Sequence, residues 1–203
     1  MAWPIRVAAI LMLVTPAIAA THAADRPNIL LAISDDQSWP PAGAYGCRYV
    51  RTPAFDRIAR EGVLFTHAFC AAPQCTPSRS AVLTGRNIWQ LEEGGTQASL
   101  LPRKFKVYPE LLEQVGYHVG CTGKAWGPGI WKEPGWPHNP AGPSYDTETL
   151  DPPTSAISRT DYAANFRAFL ETRDSNQPFC FWFGCREPHR VYDEGSGARA
   201  GYD

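Results

Sequence analysis

Apolar positions in this chain follow two spacings that alternate from one end to the other. Asn28-Ile29-Leu30-Leu31-Ala32-Ile33-Ser34 is almost unbroken and ends in Asp35-Asp36. That pattern predicts a strand buried on both faces, as in a parallel sheet. Phe179-Cys180-Phe181-Trp182-Phe183, between Pro178 and Gly184, predicts a second buried strand. Tyr117 to Thr122 predicts a third, running into Gly123-Lys124, and Val63 to Phe65 a short fourth.

Between these runs the period lengthens to that of a helix. Thr52-Pro53 places a cap residue and a proline where a helix begins, Phe55, Ile58 and Ala59 share one face, and Gly62 ends it. Further helices are predicted over Ser78 to Leu83 and over Pro109 to Val115, the latter closed by Gly116. Ser158, with Asp161 three residues on, predicts the cap of a helix whose apolar stripe is Tyr162, Phe166, Phe169 and Leu170. Residues 127–157 are rich in Pro, Gly and Ser and lack periodicity. They read as an extended loop in which Trp131, Trp136 and Tyr145 require burial.

Strands alternating with helices predict an α/β fold with a mainly parallel sheet flanked by helices. Ligands in such sheets lie beyond the carboxyl ends of the strands. Asp35-Asp36, Lys124 and Glu187-Pro188-His189 all occupy such ends. These polar groups are expected to converge on one edge.

The first residues read differently. Arg6 precedes the apolar run Val7 to Val14, and Ala17-Ile18-Ala19 fits a small-x-small cleavage site. Residues 1–19 are therefore expected to be a signal peptide, with export to a periplasm or the cell exterior. The run is too short for a stable membrane span. The chain has 203 residues, 44% of them apolar, enough for one core. Lys and Arg number 19 against 20 Asp and Glu, with no basic run, so nothing points to a nucleic-acid partner. Six cysteines, Cys47, Cys70, Cys75, Cys121, Cys180 and Cys185, permit up to three disulfides in an exported protein without identifying them.

Adjacent carboxylates at a strand end suit a hard divalent cation such as Ca²⁺, although a bare Asp-Asp pair serves equally as a cap or a solvated turn. Lys124 suits a tetrahedral oxyanion, and Thr122-Gly123-Lys124 is not part of a P-loop. Cys75 is open to several readings. A thiolate nucleophile would need a base, with His67 and His118 as candidates; a disulfide to Cys70 would close a small loop; a C-x5-R phosphatase loop is excluded, because Arg79 is only four residues on.

Cys75-Thr76-Pro77-Ser78-Arg79, followed by Leu83-Thr84-Gly85, resembles the signature of the type I, formylglycine-dependent sulfatases. "RPNILLAISDD", "TPAFDRIAREGVLFTHAF", "GYHVGCTGKAWGPG" and "PFCFWFGCREPHR" resemble the flanking segments of that family, over about residues 26–194. "SDD…GAY" and "EPHR" place it nearest the heparan sulfamidase-like branch. The resemblance implies an alkaline-phosphatase-like sulfatase fold, with residues 20–203 as the N-terminal part of a catalytic domain, truncated at its C-terminus.

It also implies a mechanism. A maturing enzyme, formylglycine-generating or anaerobic, would oxidise Cys75 to formylglycine. One hydroxyl of the aldehyde hydrate would attack the sulfur of a sulfated glycan, O- or N-linked. The other would expel the bound sulfate. Asp35, Asp36 and the converted Cys75 would bind Ca²⁺. Arg79 would hold the formylglycine, Lys124 a sulfate oxygen, and His189 the sulfate or the leaving group. Gln37, Trp126, Arg186 and Arg190 are candidates for the pocket wall. Many members carry a histidine where this chain has Trp126, so a hydrogen bond to the formylglycine is expected to be missing or supplied elsewhere. The family's remaining metal ligands, an Asp-Asn pair, lie downstream of the matched region. Two other readings are a catalytically incompetent fragment and a phosphatase or phosphodiesterase on the related scaffold.

Overall fold

The computed structural model describes residues 26–189, 194, 195 and 199. The predicted signal peptide and Arg190 lie outside the described residues. Three strands, β1 (Ile29–Asp35), β2 (His118–Gly123) and β3 (Phe179–Pro188), form one parallel sheet in the order β1-β3-β2. Four α-helices accompany them among the described residues: α1 (Pro53–Glu61), α2 (Cys75–Thr84), α3 (Tyr108–Gln114) and α4 (Tyr162–Glu171). The α/β class and the parallel sheet match the expectation from periodicity. No helix among the described residues is long and apolar enough to cross a membrane.

The central strand carries the core. Cys180, Phe181, Trp182 and Gly184 are buried on β3, and Val119 to Thr122 on β2. On one face Leu83, Leu91, Leu101, Trp126 and Trp136 pack with Trp182. Elsewhere Phe169 of α4 stacks on His118 and meets Tyr145, Phe166, Phe179 and Phe181. The 127–157 segment has the predicted extended character. Trp136 is buried and donates to the Leu101 carbonyl, while Trp131 and Tyr145 are half-buried.

Four local expectations need correction. β1 is not buried on both faces: Leu30 and Ala32 are exposed, while Ile29, Leu31 and Ile33 are half-buried. β1 sits at the sheet edge, so its apolar run reflects a face left uncovered here. Val63 to Phe65 forms no strand, and Val63 and Phe65 are exposed. α2 begins at Cys75, three residues before the predicted start. Pro77 falls in the first turn, where an amide N–H has no intrahelical partner to lose. Asp161, not Ser158, caps α4; its carboxylate accepts from the Ala164 N–H at 2.9 Å. The Ser158 hydroxyl instead donates to Thr160 Oγ1.

Candidate active site

The C-terminal ends of the three strands and the first turn of α2 meet at one place. β1 delivers Asp35 and Asp36. Asp36 adopts a left-handed backbone, φ 55°, a conformation that an aspartate tolerates better than most residues. β2 delivers Lys124 through Gly123, whose φ is 70°. A Cβ at Gly123 would collide with the Gly184 carbonyl, and one at Gly184 with the Lys124 carbonyl. The two glycines thus allow β2 and β3 to approach closely where Lys124 leaves the sheet. Asp146 secures that exit by accepting from the Thr122 hydroxyl at 2.9 Å and the Gly123 N–H at 2.6 Å.

α2 brings Cys75 and Arg79. Thr76 is completely buried; its N–H donates to Gln97 Oε1 at 3.1 Å and its hydroxyl to the Pro128 carbonyl. One turn on, Ser80 accepts from the Trp126 indole N–H at 2.8 Å. Leu83 is buried, Thr84 donates to the Ser80 carbonyl, and Gly85, φ 66°, closes the helix in the left-handed conformation. The trailing Leu-Thr-Gly of the sequence motif therefore anchors and ends the helix. Cys75 and Arg79 are the members that face the strand ends.

At the centre is Asp35. It is 4% exposed, and its carboxylate accepts from Arg79 Nη2 at 3.2 Å and from the Lys124 ammonium. Arg79 also donates to the carbonyls of Lys124 (2.7 Å) and Ala125 (3.1 Å), with its guanidinium 5.9 Å from the Trp182 ring. Burial alone would raise the Asp35 carboxyl. The Lys124 hydrogen bond and charge, with Arg79 behind them, outweigh it and hold the group below the usual carboxylate range. Cys75 Sγ lies 3.7 Å from Asp35 Oδ1 and 3.0 Å from Lys124 Nζ. His189 Nε2 lies 3.5 Å from Asp36 Oδ2. The structure thus brings together Cys75, Arg79, Lys124, His189, Asp35 and Asp36.

Ligand atoms of Asp35, Asp36 and Cys75 lie within 4.8 Å of one another. Two carboxylates fit a hard cation, whereas a sulfur does not; an oxygen at the Cys75 position would complete an all-oxygen set. Three residues fall short of the six to eight oxygens Ca²⁺ takes, so water, substrate or further polypeptide would supply the others. All six cysteines are free, and Cys75 is in no disulfide.

Three expectations about the surroundings resolve as follows. Trp126 is buried and braces α2 through Ser80, and it also borders the cavity beside Lys124. Lys124, rather than a residue two further on, contacts Cys75 Sγ. Gln37 is exposed and donates to the Pro41 carbonyl. Periodicity gave no warning of the Tyr162–Glu187 pair. Tyr162 looked like part of an apolar stripe, but its hydroxyl donates to Glu187 Oε2 at 2.8 Å and accepts from the Arg186 N–H at 2.9 Å. Burial would raise the Glu187 carboxyl, but bonds from the Ser158 N–H and the Tyr162 hydroxyl hold it below its usual value. A cavity of about 550 Å³ opens beside Lys124, bordered by Asp35, Arg186, Glu187, His189 and residues 155–158.

The family profile described as Sulfatase matches residues 27–201. The chain is 33% identical over 181 residues to an N-acetylglucosamine-6-O-sulfatase of Bacteroides thetaiotaomicron, covering 81% of this chain and 31% of that protein. A solved protein in complex with its substrate D-glucosamine-2-N,6-O-disulfate superposes with a TM-score of 0.65 at 29% identity, over 83% of this chain and 36% of that one. A phosphonate monoester hydrolase of Agrobacterium radiobacter shares the fold, with a TM-score of 0.57 at 21% identity over 81% of this chain and 41% of that one. The chain spans about a third of the length of the curated sulfatase named here. A profile match over most of its length, together with these likenesses, shows that the chain belongs to the sulfatase family.

Proposed function

We propose that this chain carries the nucleophile end of an exported, Ca²⁺-dependent sulfatase that hydrolyses a sulfated glycan, N-sulfated sugars included, through formylglycine at Cys75. The observation that carries the reading is the position of Cys75. A half-exposed thiol sits at the start of a helix, between a buried carboxylate and a lysine ammonium, with no disulfide partner. The named N-acetylglucosamine-6-O-sulfatase and glucosamine-disulfate complex favour a sulfated amino sugar as substrate. The family carried by the motif favours a formylglycine-generating or anaerobic maturing enzyme as partner.

When present, the aldehyde hydrate and Ca²⁺ supply an oxygen nucleophile and a Lewis acid for sulfate. Asp35, Asp36 and the modified residue 75 would hold the ion. The other side chains have roles that their contacts support. Lys124, with Arg79 behind it, keeps Asp35 ionised, and Arg79 fixes the Lys124 and Ala125 carbonyls, so the anionic centre is preorganised before substrate arrives. Lys124 directs its ammonium toward residue 75, where it would donate to a sulfate oxygen. His189, beside Asp36, would hold a proton for the departing sugar oxygen or nitrogen.

Peptide mass mapping across Cys75, on protein co-expressed with a maturing enzyme, tests this together with a comparison of sulfate and phosphate esters. The expected result is an aldehyde in place of the thiol and sulfate release that Cys75→Ala abolishes. Full sulfate release from an unmodified thiol would overturn it, and preference for the phosphate ester would favour the phosphatase reading.

A further inference from the structure

One cation at the cavity beside Lys124 is not taken up by the carboxylates around it. Five charged side chains border it: Asp35, Lys124, Arg186, Glu187 and His189. Four are already engaged. Lys124 is paired with Asp35, which also takes Arg79. Glu187 uses one oxygen for the Ser158 N–H, at 2.7 Å, and the other for the Tyr162 hydroxyl. His189 faces Asp36. Arg186 differs. It is exposed, and its guanidinium has no hydrogen-bond or ionic partner among the described residues. Its main chain is nevertheless held, because the N–H donates to the Tyr162 hydroxyl within β3. A fixed backbone thus presents an uncommitted planar donor to a cavity of about 550 Å³, the size of a small-molecule site.

Resting on the sulfatase reading above, we propose that Arg186 is a specificity residue that binds a second sulfate group on the sugar bearing the scissile sulfate. A guanidinium matches such groups with two parallel hydrogen bonds. The neighbouring Glu187 is held by the Ser158 N–H and the Tyr162 hydroxyl and makes no ion pair with Arg186 among the described residues. The preferred substrate is therefore a doubly anionic sugar.

Equilibrium binding separates this from the reading beneath it, because it requires no turnover. In metal-loaded protein carrying Cys75→Ala, glucosamine-2-N,6-O-disulfate should bind about 10- to 100-fold tighter than glucosamine 6-sulfate, the range for a hydrogen bond to a charged group. Arg186→Met should erase that preference while changing monosulfate affinity by less than about twofold, and Arg186→Lys should keep part of it. Equal affinity for the two sugars before any change at Arg186 overturns the proposal, as does a preference that survives Arg186→Met. The first comparison stands even if Arg186→Met fails to fold. Loss of the sulfatase reading would appear separately, as absent sulfate release with the binding preference intact.

Discussion

The two flanks of the sheet are built from equally apolar sequence but differ in cover. On the β2 flank, residues 119–122 are buried, and the outer edge is closed by the loop, with Cys121 N–H donating to the Pro143 carbonyl and Tyr145 N–H to the Cys121 carbonyl. Phe169 and Trp182 are 0% and 1% exposed. On the β1 flank, Leu30, Phe55, Ile58, Val63, Phe65 and Phe69 are all exposed, and β1 pairs with β3 alone among the described residues. Trp39, Tyr45 and Phe55 touch ring to ring, so part of this surface is a continuous aromatic patch. The site lies where the flanks meet: Lys124 comes from the closed side, Asp35 and Asp36 from the open one. The acidic half of the cluster therefore rests on the less supported strand.

Substitutions can break that comparison. Phe169→Ala removes a fully buried ring with five aromatic neighbours and should cost about 3–5 kcal/mol in urea unfolding. Ile58→Ser, on the exposed face of α1, should cost no more than about 0.5 kcal/mol. A large loss at Ile58 would show that the open flank is covered in the working protein.

Acid titration sharpens it at the junction. The folded Asp35 carboxyl is held below its unfolded value, so its ionised form favours the fold. That stabilisation is complete above about pH 4 and is lost as pH falls through the lower folded value. Asp35→Asn should flatten the acid limb of the stability curve in circular dichroism. An unchanged limb would mean that Lys124 and Arg79 do not hold the charge.

The smallest effect is chemical. Cys70 is exposed and Cys47 half-buried on the open flank. Burial pushes the Cys121 thiol up to about 12 and that of Cys180 to about 11. Brief iodoacetamide treatment and mass mapping should find Cys70 alkylated first, with Cys121 and Cys180 protected until unfolding. Early labelling of Cys121 would show that the closed flank opens readily.

Particular residues show what could be read from sequence. Thr52-Pro53 and Gly62 bound α1 as expected, because caps and breakers act within a turn. Its amphipathic stripe was equally legible, yet Phe55 and Ile58 of that stripe stay exposed, since periodicity says which face is apolar and not what lies against it. β1 failed for the same reason, and Val63 to Phe65 because a short apolar run does not guarantee a pairing strand. Tyr162 was hidden in an apolar stripe because its hydroxyl finds partners on β3, 24 and 25 residues away.

The order of elements, the acidic, basic and imidazole groups at the strand ends, and the motif that names the family can all be read along the chain. These depend on spacing and residue type. Folding is what sets Lys124, 89 residues from Asp35, on its carboxylate, and Cys75, 40 residues away, against the same group. Those pairings arise when parallel strands come into register and two glycines let them close. Such contacts cost chain entropy and are chosen by packing, not by local pattern.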